Sequence, residues 1–147
     1  MQNVFIIGSK GIPAAYGGYE TFVDKLTEYH RNNDKIKYHV ACKGEENKEY
    51  IYHNARCFMI KVPDIGPAQA IYYDVAALKE CCRYIEKKQV KQPVIYILAC
   101  RIGPFIRHYV RKNISLEERY MSIRMGMNGC GRSGMLVYEN IGKYQNK

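Results

Sequence analysis

The sequence predicts an α/β fold, a Rossmann-like doubly wound parallel sheet, and three observations carry that expectation. Short apolar runs alternate with amphipathic helical patterns from the N-terminus to about residue 112. The first run, Val4-Phe5-Ile6-Ile7, is continuous rather than alternating, as befits a strand covered on both faces. It passes directly into a glycine-rich bend, Gly8-Ser9-Lys10-Gly11-Ile12-Pro13-Ala14-Ala15-Tyr16-Gly17-Gly18, and from there into a helical pattern.

Asn3 to Ile7 forms the first expected strand. A helix should follow from about Gly18 to about Arg31, because Phe22, Val23, Leu26 and Tyr29 recur at helical spacing and Glu20 and Asp24 lie near the positive end of the helix dipole. Asn32-Asn33-Asp34 ends it. Lys35 to Cys42 places Ile36, Tyr38 and Val40 on one face of a second strand, and Cys57 to Val62 makes a third, closed by Pro63. Pro67 to about Lys88 reads as a long helix with Ile71, Val75, Leu78, Cys82 and Ile85 as its stripe. Pro93 to Cys100 is the fourth strand, and Gly103-Pro104 opens a further helix carrying Phe105, Ile106, Tyr109 and Val110. Such an alternation gives the strand order 3-2-1-4, with ligands at the carboxyl ends of the strands near the switch point. Gly8 to Gly18 and Cys100 to Gly103 then share one rim.

A glycine bend leading into a helix N-terminus presents free N–H groups and the positive end of a dipole, which suits a phosphate; the plain alternative is a tight turn. A Walker loop would end in Gly-Lys-Ser/Thr, and Gly18-Tyr19-Glu20 does not. A dinucleotide fingerprint needs closely spaced glycines and an acid ending the second strand, whereas Gly8, Gly11 and Gly17 are spread and the strand ends Ala41-Cys42-Lys43. Nicotinamide binding fits poorly, with Glu45 as the one acid that keeps it open.

The stretch from Ile7 to Thr21, of the form Ile-Gly-(x)-(x)-Gly-Ile-Pro-Ala-(x)-Tyr-Gly-Gly-(x)-Glu-Thr, resembles the start of family 4 glycosyltransferases of the GT-B fold, most closely the bacterial rhamnosyltransferase-type members of surface polysaccharide synthesis. Gly66-Pro67-Ala68-Gln69-Ala70-Ile71-Tyr72-Tyr73-Asp74 is similar to the same family, and the likeness runs from about residue 1 to about residue 112. The resemblance implies the N-terminal, acceptor-side half of a GT-B fold, incomplete at its C-terminal side, in a retaining enzyme that moves a sugar such as rhamnose from a nucleotide-sugar donor to a polysaccharide or lipid-linked acceptor. It also implies a donor- or phosphate-binding set of Lys10, Gly11, Tyr16, Gly17, Gly18 and Glu20, and an acceptor set of Tyr72, Tyr73, Asp74 and Arg101. No metal and no cofactor besides the nucleotide-sugar substrate is expected. The donor-binding Glu and basic residues of the family's second domain have no counterpart here, so no turnover is expected from this polypeptide alone.

With 147 residues the chain holds one domain. His30, His39, His53 and His108 have no triad-like spacing, and the six cysteines form no CxxC pair, which points to reduced, mostly buried thiols. The net charge of +9 raises nucleic acid as a partner, but the cations are scattered among acids and no nucleic-acid motif accompanies them. Anionic glycolipid at the inner membrane surface suits the charge better. No signal peptide or apolar span is evident, so the expected location is cytoplasmic, with peripheral membrane association.

From Asn113 to Lys147 the character changes: Met121, Met125, Met127 and Met135 cluster, five glycines interrupt any period, and neither a strand nor a helix is expected. The family would here continue with a fifth strand and Val-Asn-Pro-Asp-Gly-His-Glu-Trp, yet the chain has no Trp. Back-translated and shifted by one base, Ser115 to Lys147 spells that segment with permitted codons. The expectation is therefore a glycosyltransferase domain over 1–112 and an out-of-frame, disordered tail over 113–147, the protein being truncated and inactive, with an unpaired edge on the fourth strand. A stand-alone nucleotide- or phosphate-binding module and a basic interaction protein are the other two function classes.

Overall fold

A computed structural model describes residues 1–102 and 122–125 of the chain. Its strands are β1 (Gln2–Ile7), β2 (Ile36–Gly44), β3 (Glu49–Tyr52), β4 (Ala55–Lys61), β5 (Val94–Ile97) and β6 (Ser122–Met125), and its helices are α1 (Gly18–Tyr29) and α2 (Gln69–Lys87), the latter preceded by a 3-10 turn over Gly66–Ala68. The sheet order is β3-β4-β2-β1-β5-β6. All neighbours run parallel except the β3–β4 hairpin. The expected order 3-2-1-4 is the inner block β4-β2-β1-β5, and helices lie on both faces of a Rossmann-like, doubly wound sheet.

Two strands go beyond the expectation. β3 pairs antiparallel with β4 through a two-residue turn at His53 and Asn54, whose φ values of 48° and 59° match the primed turns that suit strand twist. The hairpin is fastened from the side: Arg56 pairs with Glu49, and its guanidinium lies 4.0 Å from the Tyr84 ring centroid. β6 corrects the expectation that no strand follows Asn113. Ser122–Met125 pairs in parallel with Val94–Ile97, so the β5 edge is not left open. The helix expected from Gly103, and the tail apart from β6, lie outside the described residues.

The sheet separates two cores. On one face Phe5, Ile7, Ala41, Phe58, Ile60, Ile95 and Ile97 pack against α2. On the other, Ile6, Tyr38, Val40, Cys42 and Cys57 pack with Val23 of α1 and Ile12 of the glycine bend. Each fully buried Ile, Leu or Phe contributes about 1.5–3 kcal/mol, which is why alternate residues of one strand serve both layers. Among the described residues Cys42, Cys57, Cys81 and Cys82 are buried free thiols.

Both helices keep part of the expected stripe, Val23 and Leu26 on α1 and Val75, Leu78, Cys82 and Ile85 on α2, and depart from it elsewhere. Phe22 and Tyr29 of α1 are exposed, and the inward stripe is Glu20, Val23 and Thr27. On α2 Ile71 is exposed while Tyr73 and Asp74 are buried beside Ala77, Leu78, Cys81, Cys82 and Ile85. In each case the inward polar side chain bonds the rim described below, and that bond sets the rotation of the helix.

One buried group makes stability depend on pH. His39 of β2 stacks on Phe5 with centroids 4.3 Å apart, and its Nε2 lies 3.0 Å from the Asn3 side-chain oxygen. Burial, reinforced by the positive charges of Arg56 and Lys37, lowers its pKa from 6.5 to about 4. The folded state therefore keeps the ring neutral where the unfolded chain takes a proton, and stability falls as pH drops from about 6.5 to about 4, by an amount on the order of 3 kcal/mol. Urea midpoints measured across that interval should show the decline, and His39→Gln should flatten it.

Candidate functional site

β1 ends at Ile7, and the chain then crosses the carboxyl rim of the sheet to reach α1. Nearly every step of that crossing is tied down. The Leu98 amide donates to Ile7 O at 2.8 Å, and Gly8 follows with φ 101°. A Cβ on Gly8 would lie 2.8 Å from the Ala99 nitrogen, so only glycine lets the bend sit this close to the exit of β5. The Tyr73 hydroxyl donates to Ser9 O at 2.7 Å. The Lys10 amide donates to Glu20 Oε1 at 2.5 Å, while Lys10 O accepts from the Lys43 amide at 2.9 Å. Gly11, with φ 116°, rests on Cys42: a Cβ there would lie 2.7 Å from that residue's Cβ and Sγ. The Tyr50 hydroxyl donates to Ile12 O and sits 3.3 Å from Cys42 Sγ. The Ala14 amide donates to Asp24 Oδ2 at 2.7 Å.

The expected donor-binding residues fall into two groups. Glu20 is 7 % exposed, and its carboxylate is spent on the Lys10 amide and fills the space that a Gly17 side chain would take. It belongs to the framework of the bend, as does Gly11. Lys10, Tyr16 and Gly18 face outward: Lys10 and Tyr16 are exposed, and no described residue lies within 4 Å of where a Gly18 Cβ would be. Gly17 is the N-cap of α1, and its carbonyl accepts from Thr21 N and Oγ1. By helix geometry the amides of Gly18 and Tyr19 have no intrahelical acceptor, so the open end of the bend is a set of donors beside a small residue. Lys10 also lines a wide hollow of about 740 Å³ with Lys43, Lys61, Glu45 and Glu46 at the ends of β2 and β4.

The expected acceptor residues separate as well. Tyr72 is exposed and lines a different hollow of about 350 Å³, between β4 and α2, with Lys79 and Arg83. Tyr73 is buried on the bend. Asp74 and Arg101 come together: Arg101 Nε donates to Asp74 Oδ2 at 2.8 Å. Burial raises the Asp74 pKa above 3.8, with Arg101 opposing the rise. No cluster of His, Cys, Asp and Glu suited to a metal occurs among the described residues.

Sequence reasoning missed three contributors. Asp24 was placed only as a dipole partner, although its spacing of four from Glu20 puts both carboxylates on one helix face. Tyr50 gave no signal, because its strand was not anticipated. Ser9, whose buried Oγ has no hydrogen-bond partner among the described residues, was named only as part of the bend, with no role of its own.

A family profile described as "Domain of unknown function (DUF1972)" matches residues 1–128. The chain belongs to the DUF1972 family. The match continues past residue 112, where the likeness was expected to stop, and takes in β6. Among curated proteins none matches. Two solved structures resemble the DUF1972 chain: an "OtsA apo structure", at TM-score 0.48 and 12% identity over 85% of this chain and 33% of that one, and "Trehalose-6-phosphate from E. coli bound with UDP-2-fluoro glucose", at TM-score 0.47 and 12% identity over 84% of this chain and 32% of that one. The chain thus spans about a third of the length of these structures.

The geometry divides the glycines of the DUF1972 rim by role. Gly11→Ala combines a left-handed φ with a collision against Cys42 and should cost more than about 2 kcal/mol of unfolding free energy. Gly18→Ala should stay within about 0.5 kcal/mol of wild type. Tyr50→Phe removes the hydroxyl from Ile12 O and should cost about 1 kcal/mol. Chemical denaturation of the three variants side by side checks the ranking.

Proposed function

We propose that the DUF1972 domain is the acceptor-side, N-terminal half of a retaining GT-B glycosyltransferase, moving a sugar such as rhamnose from a nucleotide-sugar to a polysaccharide or lipid-linked acceptor. The observation that supports it is the bend from Gly8 to Gly18: held rigid by Glu20, Asp24, Tyr50 and Tyr73, yet open at Gly18 where the α1 amides begin. A departing nucleoside diphosphate develops negative charge, and prealigned amides at a helix N-terminus stabilise that charge without reorganising as it forms. Lys10 stands on the outer side of the same bend and adds a cation.

In this reading a second domain holds most of the donor and closes over the rim, so the chain by itself binds ligand without turning it over. Lys43 and Lys61, together with the net charge of +9, draw the rim toward anionic headgroups at the cytoplasmic membrane face, where a lipid-linked acceptor would lie. Tyr16, exposed beside the open amides, is placed to stack on a sugar or base.

Titration with a nucleoside diphosphate and with its sugar conjugate tests the reading. Saturable binding is expected, and Gly18→Ala, whose methyl enters the open space without strain, should weaken it by about tenfold or more. Binding untouched by Gly18→Ala would remove the bend from the site. Equal affinity for the nucleotide with and without its sugar would instead favour a stand-alone phosphate module.

A further inference from the structure

Two lips of the carboxyl rim, where the chain leaves β1 and where it leaves β5, are held by consecutive residues of α2. Tyr73 reaches the β1 lip, where its hydroxyl bonds Ser9 O. Asp74 reaches the β5 lip, where it accepts from Arg101 Nε at 2.8 Å. Asp74 is fully buried, whereas the Arg101 side chain is 44 % exposed. A guanidinium carries five N–H donors, and no other described residue accepts from this one, so the described residues leave its fork of terminal nitrogens unspent. Two more polar groups at these lips are buried without a partner among the described residues: Ser9 Oγ, on a residue 1 % exposed, and Asp74 Oδ1.

We propose that Arg101, seated by Asp74, is an oxyanion-binding fork on the β5 lip that takes a phosphoryl group carried by the acceptor. The word acceptor rests on the glycosyltransferase reading; the anion site does not. Stability is a poor reason for the pair. Burying a carboxylate against a half-exposed cation gains little, since desolvation offsets the attraction. Orientation is a better one, because a planar guanidinium held at Nε presents its remaining edge in a fixed plane, which matches two phosphoryl oxygens and suits an arginine rather than a lysine. Asp74 reaches no ligand itself and acts as the positioning residue.

The probe is inorganic pyrophosphate titrated into the full chain at low salt. Saturable binding is expected, weakened about tenfold or more by Arg101→Gln and about threefold to fivefold by Arg101→Lys, which keeps the charge and loses the fork. Asp74→Asn should weaken binding by a similar threefold to fivefold, roughly, and that effect should vanish in the Arg101→Gln background, since Asp74 acts only through the arginine. A purely structural Asp74 would give the same loss in both backgrounds and overturn its role. Arg101→Gln leaves the buried Asp74 carboxylate without its cation, so its fold is checked by circular dichroism and Arg101→Lys, which keeps the charge, is read beside it; pyrophosphate affinity unchanged in folded Arg101→Gln overturns the fork outright. Loss of binding in Lys10→Gln or Gly18→Ala but not in Arg101→Gln would move the anion to the glycine bend, defeating this inference and leaving the proposed function standing. Arg101-dependent pyrophosphate binding without affinity for nucleotide-sugars would do the reverse. Flotation with phosphatidylglycerol and phosphatidylcholine vesicles separates the sources: dependence on Arg101 for the anionic vesicles points to a lipid-borne phosphate, and its absence to a soluble one.

Discussion

The contact between the Glu20 carboxylate and the Lys10 amide is the constraint on which the rim depends. A bend rich in glycine is entropically costly to order, and the bend from Gly8 to Gly18 has few side chains with which to anchor itself. Anchoring comes instead from the first turns of the helix it leads into. Glu20 bonds Lys10 and Asp24 bonds Ala14, so α1 grips the segment that precedes it at two points. A charged acceptor makes each of these bonds stronger than a neutral one, and a buried carboxylate without its donor would be penalised, which fixes the bend as firmly as it fixes the helix. The outward placement of Phe22 and Tyr29 follows, because α1 cannot present Glu20 to the bend and those rings to the sheet at once.

The same logic governs α2. Its core stripe of Ala77, Leu78, Cys81, Cys82 and Ile85 would allow several small rotations, and the choice among them is made at the N-terminal end, where Tyr73 bonds Ser9 and Asp74 bonds Arg101. The helix thus reads the position of both lips. Sheet order brings the two lips together: β1 sends its connection to one face through α1, whereas β5 receives its connection from the other through α2, so elements from both faces meet at the adjoining exits of β1 and β5.

Much of this frame was legible in the residues. Continuous apolar runs marked β1 and β5, alternation marked β2, and the order of the inner strands followed from strand–helix alternation. What was not legible has a common physical cause. Periodicity assigns apolar residues to the core and polar ones to water, yet Glu20 and Asp74 are buried because bonds along the rim compensate them, Thr27 because its hydroxyl donates to Asp24 O within α1, and Phe22, Tyr29 and Ile71 are exposed in consequence. β3 is four residues long and starts with a glutamate that pairs with Arg56, so its sequence offered too short a period. β6, reading Ser-Ile-Arg-Met, gains strand character from pairing with β5 rather than from its own composition. At the site, the glycines and Lys10 were visible as a motif, while Tyr50 and Ser9 depend on contacts between segments distant in sequence and left no local trace.

The division between framework and opening argues for what the rim is for. A bend that served only to connect β1 to α1 would need its glycines packed, and Gly8, Gly11 and Gly17 meet that description, each filled against by Ala99, Cys42 or Glu20. Gly18 does not. Its missing side chain would meet no described residue, its φ is not left-handed, and a helix start tolerates larger residues there, so no demand of the described fold accounts for glycine at that position. Arg101 poses the parallel question on the opposite lip, where a buried carboxylate holds a cation whose remaining donors no described residue uses. Rigid supports behind open donors, on the same rim of the sheet, are what a preorganised ligand site requires, since groups already held in place lose little entropy when the ligand arrives.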